Sequence, residues 1–342
     1  MKKIFTLCAL MFLLIQNTEA KIWRVNNNSS VQADFTTVSD AVSHASEGDT
    51  IYIEGSAAAY NENVYVSKRL YIIGAGYYLR DKTPNPRTQN NTVTVDINFV
   101  TFNPGSAGSV LEGIGLANVI INENSITIQR NRISAFLAIA DAANSVCNND
   151  TIRQNVIYKI IAETATGKAS NLMVYNNIFN GPVFNFYSNV DNISGDFFNN
   201  DCLEPATLSC VNFTFQNNIF NGVSLGTYMY SNVFLNNISS DEELPYGNGN
   251  QSDIDLGTVF NGFSDGTGFS SDGRYRLKTG SPAIGAGSLN GTTADCGAFG
   301  GPAPYILSGM PPIPSIYILT IPPSVPGDAT DMNVTISSTT VH

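Results

Sequence analysis

The chain has 342 residues, 13% of them charged, and its 28 acidic against 17 basic residues leave a net charge of −11. That balance argues against a nucleic-acid ligand, because phosphate binding needs clustered Lys and Arg. Low charge alone would also fit disorder, but 43% hydrophobic and 10% aromatic residues supply a core, so the composition points to a turn-rich all-β chain.

The first twenty residues read as a targeting segment. Lys2 and Lys3 precede an apolar run from Ile4 to Ile15 that is too short to span a bilayer, and Thr18-Glu19-Ala20 places small residues at −3 and −1 of a cut after Ala20. A cleaved signal peptide and a secreted product (periplasm, cell surface or extracellular) are therefore expected. Cys8 lies within the apolar run and lacks the spacer and preceding small residues of a lipoprotein anchor. No other run is long enough for a membrane helix. Four cysteines survive the cut: Cys147, Cys202, Cys210 and Cys296. An oxidising compartment permits pairing, and Cys202 and Cys210 are close enough to clip a loop, although four cysteines allow three connectivities. With only His44 and His342 and no zinc spacing, no metal site is expected.

One helical signal follows. Val38, Ala41, Val42 and Ala45 share a stripe, Thr36 or Thr37 supplies an N-cap, and Glu47-Gly48-Asp49 breaks the pattern, so a helix is predicted over 36–46. Strands are predicted over 50–53, 64–66 and 70–74, each bounded by turn residues.

The middle of the chain carries an irregular repeat of an apolar residue, an outward one, a polar one, an Asn and two more positions. Its six copies begin at Ile128, Ile152, Val174, Phe197, Phe215 and Met229. The aligned Asn residues 131, 155, 177, 200, 218 and 232 lie 24, 22, 23, 18 and 14 residues apart. A period near 22 suits one turn of a right-handed parallel β-helix, whose turns stack about 4.8 Å apart. Alternation places the six starting residues in one inward column, and Ile133, Ile157, Phe179, Cys202, Phe220 and Phe234 in another. The Asn falls at the bend, where it tolerates left-handed backbone angles and bonds to its counterparts along the stack. Stacked strands expose an edge at each end. The predicted helix is placed to plug the first. Alternating segments at 315–321 and 332–336, reached through the Pro-rich stretch 309–314, suit a hairpin over the last turn or a lateral face.

Asp34-Phe35-Thr36-Thr37-Val38, then Glu47-Gly48-Asp49-Thr50-Ile51-Tyr52-Ile53 and Ile72-Ile73-Gly74-Ala75-Gly76, resemble the opening of pectate-lyase-like β-helix proteins. The run from Tyr275 through Gly287, with Asp295-Cys296-Gly297-Ala298-Phe299-Gly300, is similar to the closing coil of secreted bacterial members, in the style of the Bacteroidetes. The expected organisation is a signal peptide over 1–20, a β-helix over 21–300, and a Pro-rich linker with a C-terminal β-hairpin over 301–342. For activity the resemblance implies polysaccharide lyases and glycoside hydrolases. The hydrolases' paired Asp residues and His-Gly find no match, nor does a lyase's acidic calcium cluster followed by an Arg.

What remains is a cationic zone of Arg130, Arg132, Arg153, Lys159 and Lys168. Beside it runs an outward column of Gln129, Arg153, Tyr175, Phe198, Gln216 and Tyr230. Tyr175, Phe198 and Tyr230 with Arg153 and Arg130 form the candidate glycan-contact strip, its rings stacking on sugars and its cations pairing a uronate. The plainer and favoured reading has these side chains stacking like on like, with Arg paired to Asp150 or Glu163. No cofactor is required. Calcium at Asp265-Gly266-Thr267-Gly268 and Asp272-Gly273 is the one ion the pattern admits, against an ordinary Gly-rich turn. Asp191, Asp196 and Asp201 read as solvated turn residues rather than an acid pair. The expected protein is a non-catalytic exported module that binds a polysaccharide or sits at the cell surface. A divergent polysaccharide lyase on an acidic polymer and a purely structural envelope component are the alternatives.

Overall fold

The computed structural model describes residues 19–83, 85, 88–162, 166–185, 192–226, 229–325, 327 and 329–340. Of the expected signal peptide, residues 1–18 lie outside the described residues, as do Glu163 and Asp191.

Two parallel sheets of stacked short strands build a β-helix of about eight turns. The first sheet runs from Ile22–Val25 through Thr50–Ile53, Tyr71–Ile73, Val110–Glu112, Thr127–Gln129 and Thr151–Arg153. It continues through Lys168–Tyr175, Ile193–Phe198 and Phe213–Gln216 to Val233–Leu235. The second begins at Asn63–Val66 and ends at Ile238–Ser239. Strands this short cannot bury both faces alone, so inward columns from successive turns make one continuous core. Ile128, Ile152, Val174, Phe197 and Phe215 stack in register on the first sheet. Ile133, Ile157, Phe179, Cys202 and Phe220 do so on the second.

Between the sheets the chain turns on two residues with opposite duties. The first has left-handed backbone angles: Arg130, Gln154, Asn176, Asn199, Asn217 and Asn236, with φ from 52° to 56°. The second is the repeat's Asn, turned inward and wholly buried. The Oδ1 of Asn155 accepts from the Asn131 backbone N–H at 2.9 Å and from its Nδ2 at 3.3 Å. The same pair of bonds recurs at Asn177, Asn200, Asn218, Asn237 and Asn250. Each Nδ2 also donates to the carbonyl of an inward residue, as Asn177 does to Ile152 O at 2.9 Å. The ladder thus satisfies backbone groups that a dry bend would otherwise strand.

The sixth repeat is corrected. Phe234, not Met229, pairs with Phe215, and Ser239, not Phe234, with Phe220, so Asn237 takes the rung expected of Asn232. Asn232 sits at the opposite corner of the first sheet, where its Oδ1 accepts from Phe213 N at 2.8 Å. Both corners favour Asn, and the alignment chose the wrong one.

At the N-terminal end the helix Val38–His44 is capped by Thr37 and buries Val38, Ala41 and Val42 against the first strands of both sheets. The segment expected as a closing coil does something else. Gly287–Leu289 and Thr292–Ala294 pair antiparallel, and the chain from there to Met310 runs back along the outside of the ladder bend. Asn217 Nδ2 donates to Ser288 O at 3.1 Å, and Asn199 Nδ2 to Asp295 O at 2.9 Å. Asn176 Nδ2 reaches Ala298 O and Gly300 O at 2.8 and 2.7 Å, Gln154 Nε2 reaches Pro304 O at 2.7 Å, and Arg130 Nη1 reaches Met310 O at 3.2 Å. The outward residues of the bend therefore hold a strap. Beyond it, Ser315–Thr320 and Thr335–Thr339 form the expected hairpin, lateral rather than terminal, tied by Asn90 N to Ile316 O at 2.6 Å. Among the described residues no helix is long and apolar enough to cross a membrane.

Candidate functional site

The outward column of the first sheet is continuous. Register places Glu112, Gln129, Arg153, Tyr175, Phe198, Gln216 and Leu235 in line. Gln129 donates from Nε2 to the Glu112 carboxylate at 2.5 Å, and Arg153 Nε donates to Gln129 Oε1 at 2.8 Å. Arg153 Nη1 donates to the Tyr175 hydroxyl at 3.2 Å, and the Tyr175 and Phe198 rings stack at 4.7 Å with planes 6° apart. Gln216 closes the column by donating to Ser288 O of the strap at 2.7 Å. Glu112 is 3% exposed, and burial pushes its carboxyl upward against the opposing pull of Gln129, Arg130 and Arg153. The column grows more open from Arg153 onward, where the side chains are half-buried.

Of the strip predicted from sequence, the structure brings together Arg153, Tyr175 and Phe198. It separates Arg130 and Tyr230 from them. Arg130 is 7% exposed, with Nε on Gln154 Oε1 at 3.1 Å and Nη1 on the strap, because it is the outward residue of a bend. Tyr230 stands before the last strand of the sheet, exposed and out of the column, since Leu235 fills the position expected of it. Arg132 begins the second-sheet strand Arg132–Ile139 and sits 5.7 Å over the Tyr78 ring, and Lys168 starts its strand at the end opposite Tyr175. The cationic zone is thus spread over separate faces.

The aromatic part also differs from a sugar platform. Rings stacked from turn to turn face one another along the solenoid axis and turn their edges outward, so their faces serve the fold. What the strip offers a ligand is a guanidinium fixed at two nitrogens, with Nη2 unbonded among the described residues, beside ring edges and Gln216.

Asp196 and Asp201 do not pair, and Asp201 is not the solvated turn residue expected of it. Asp196 lies on the first sheet, next but one to Phe198, whereas Asp201 lies on the second, wholly buried under the strap with Oδ1 accepting from Ala298 N at 3.0 Å. Burial pushes the Asp201 carboxyl well above the usual range. Asp265 Oδ1 closes a turn on Thr267 N at 2.9 Å. Asp272 is turned inward, 1% exposed, and accepts from Tyr305 Oη at 3.0 Å, Ser308 N at 2.6 Å and Asn85 Nδ2 at 2.8 Å. Those bonds lock the strap to the loop around Tyr77, whose hydroxyl meets that of Tyr305 at 2.6 Å. The two aspartates therefore do not converge, and no group of three or more potential metal ligands occurs among the described residues. Cys202 and Cys210 are both free and buried. Cys202 stacks between Phe179 and Phe220 while Cys210 lies against Met229 Sδ at 3.9 Å, so the loop between them is not clipped. Burial pushes the Cys147 and Cys296 thiols up to about 12, which keeps them protonated.

Sequence reasoning passed over one cavity, a cleft of about 630 Å³ where the strap, the hairpin and the segment after Asp272 meet. Arg276, Leu277, Asp295, Phe299, Tyr305 and Leu307 line it. These residues belong to no repeat, and nothing local in the sequence signals that they converge.

No protein-family model matches the chain, and no curated protein matches it.

Proposed function

We propose that this is an exported, non-catalytic β-helix module that binds a carboxylate-bearing polysaccharide along the outer face of its first sheet. The pectate-lyase-like likeness of its opening segments supports a polysaccharide, and the leader-like residues 1–20 support export. The observation that carries the reading is Arg153. Its guanidinium is held by Gln129 and Tyr175, with Nη2 left open among the described residues, so a carboxylate meets a cation whose orientation is already fixed. The same two bonds suit Arg153 to holding a uronate rather than to removing a proton. An extended polymer lying along the axis would place one acidic unit on Arg153 and its neighbours against the edges of Tyr175 and Phe198.

Affinity electrophoresis against polyuronates and neutral glycans tests this. Arg153→Gln should weaken retention on a polyuronate about tenfold or more, the scale of a charge-assisted hydrogen bond of 1.5–3 kcal/mol, and leave a neutral glycan unaffected. Retention unchanged by Arg153→Gln, or release of unsaturated uronate ends during the assay, would remove the reading.

A further inference from the structure

Lys21 precedes the first strand, yet three contacts fix it. Its carbonyl accepts from Thr50 N at 2.8 Å, its Nζ lies 3.3 Å over the Trp23 ring, and its backbone nitrogen donates to Asp49 Oδ1 at 2.8 Å. Asp49 is only 4% exposed. Its Oδ2 accepts from Trp23 Nε1 at 2.9 Å and from Ser46 N at 2.8 Å. Burial alone would raise this carboxyl, but the donors around it and the Lys21 charge outweigh burial and hold it below the usual range. Three N–H donors hold this carboxylate in place, and one of them is the nitrogen of the residue after a small-x-small motif, so a positive charge formed on that nitrogen would meet a carboxylate already aimed at it.

We infer that Asp49 is a receptor for a newly made N-terminus: hydrolysis of the Ala20–Lys21 bond delivers the Lys21 α-ammonium onto the Asp49 carboxylate. The inference rests on the export reading above. Water adds across the Ala20–Lys21 amide, the leader departs with the Ala20 carboxylate, and the Lys21 nitrogen takes up protons to become the ammonium. Before the cut, the Lys21 N–H is a neutral donor. Afterwards the same atom makes a charge-assisted bond, roughly twice as strong as a neutral one. Processing then tightens the end of the stack where the first strand, Ile22–Val25, would otherwise fray. Ala20 and Glu19 are exposed and lie outside the first strand, Ile22–Val25.

The other charged or titratable groups at this corner are few. His44 of the helix lies edge-on to Trp23 at 4.8 Å, and Glu47 pairs with Arg69 at 3.7 Å. Neither bonds the Asp49 carboxylate among the described residues.

The full chain, expressed with its leader in a secreting host, tests the inference by N-terminal sequencing and then by the pH profile of α-amine acylation. The mature protein should begin at Lys21. Its amine should titrate at least one pH unit above that of the free peptide Lys-Ile-Trp-Arg, an acylation about tenfold slower at pH 6, below both values, and Asp49→Asn should abolish the difference. The wild-type profile decides even if that variant fails to fold. An uncleaved secreted chain would end the export reading and this one together. A mature start at another residue, or a start at Lys21 with an amine that titrates like the peptide's, would overturn this inference and leave export standing.

Discussion

The two corners of the first sheet solve one problem in different ways. At the exit, Asn131, Asn155, Asn177, Asn200, Asn218, Asn237 and Asn250 form one ladder in which each rung accepts from the turn before and donates to the turn after. At the entry, the equivalent positions are Asp49, Leu70, Ser109, Ile126, Asp150, Leu172, Gly195, Phe213 and Asn232. Leu70, Ile126, Leu172 and Phe213 fill four of them with apolar side chains. The polar ones act singly: Ser109 Oγ accepts from Leu70 N at 3.0 Å, Asp150 Oδ1 from Ile126 N at 2.7 Å, and Asn232 Oδ1 from Phe213 N at 2.8 Å. A ladder demands the same side chain on every turn, because each amide is both donor and acceptor. An isolated cap tolerates substitution, and at Asp150 it tolerates a carboxylate.

The largest effect should come from breaking the ladder at its centre. Asn177→Ala removes the acceptor for Asn155 N and the donor for Ile152 O, Tyr175 O and Asn200 Oδ1. Tyr175 O keeps Gln154 N and Asn200 Oδ1 keeps the Asn177 backbone N–H, so the losses fall on Asn155 N and Ile152 O. At about 1–3 kcal/mol for each buried group left unpaired, the sum, roughly 2–6 kcal/mol, is a large share of the stability of an ordinary domain. Asn250→Ala at the last rung, which is only half-buried, should cost about 1–2 kcal/mol. Urea midpoints of the two variants provide the comparison. Equal losses would mean that the ladder is decoration on a core held by its apolar columns.

The entry corner yields a smaller effect of opposite sign. Burial pushes the Asp150 carboxyl up to about 7, opposed by the Ile126 bond and aided by Glu123, and its Oδ2 has no partner among the described residues. Because the folded value lies above the unfolded one, stability is complete below about pH 4 and is lost as pH rises through about 7. Asp150→Asn should therefore gain about 2–4 kcal/mol at pH 8 and close to nothing at pH 4. Asn232 shows that an amide fits this corner, since its Nδ2 finds Cys210 O at 2.8 Å. Urea midpoints across pH 4–8 check this, and a variant that keeps the wild-type slope would count against it.

The contrast also explains what could be read from the sequence. The exit ladder was legible because strict repetition leaves a visible column, and that column yielded the β-helix and the inward faces, while the capping helix was legible in its own apolar stripe and N-cap. The register failed only at Asn232, where a residue of the entry corner imitated one of the exit. The strip was half legible: alternation put Arg153, Tyr175 and Phe198 outward, but could not say that the rings would turn edge-on, nor that Arg130 would be spent on the strap. The strap itself was illegible. Its partners are carbonyls, which every residue has, so its docking leaves no mark on its own sequence. The polar residue before each Asn was part of the repeat, and was the one available sign that something lies against the bend.

That sign can be tested with the smallest change. Asn176 holds Ala298 O and Gly300 O from a residue at φ 53°, a backbone conformation that glycine adopts without cost. Asn176→Gly thus removes the amide while relieving the backbone, whereas alanine would confound the two. Global stability should fall by about 1 kcal/mol or less, a lost hydrogen bond partly offset by the relief. The strap should respond more than the whole: amide exchange around Ala298 and Gly300 should quicken several-fold, while the ladder keeps its protection. Exchange that rises equally in both would mean strap and solenoid open as one unit. No change in either would mean that the Asp272 lock, with Tyr77 and Tyr305, holds the strap without help from the bend.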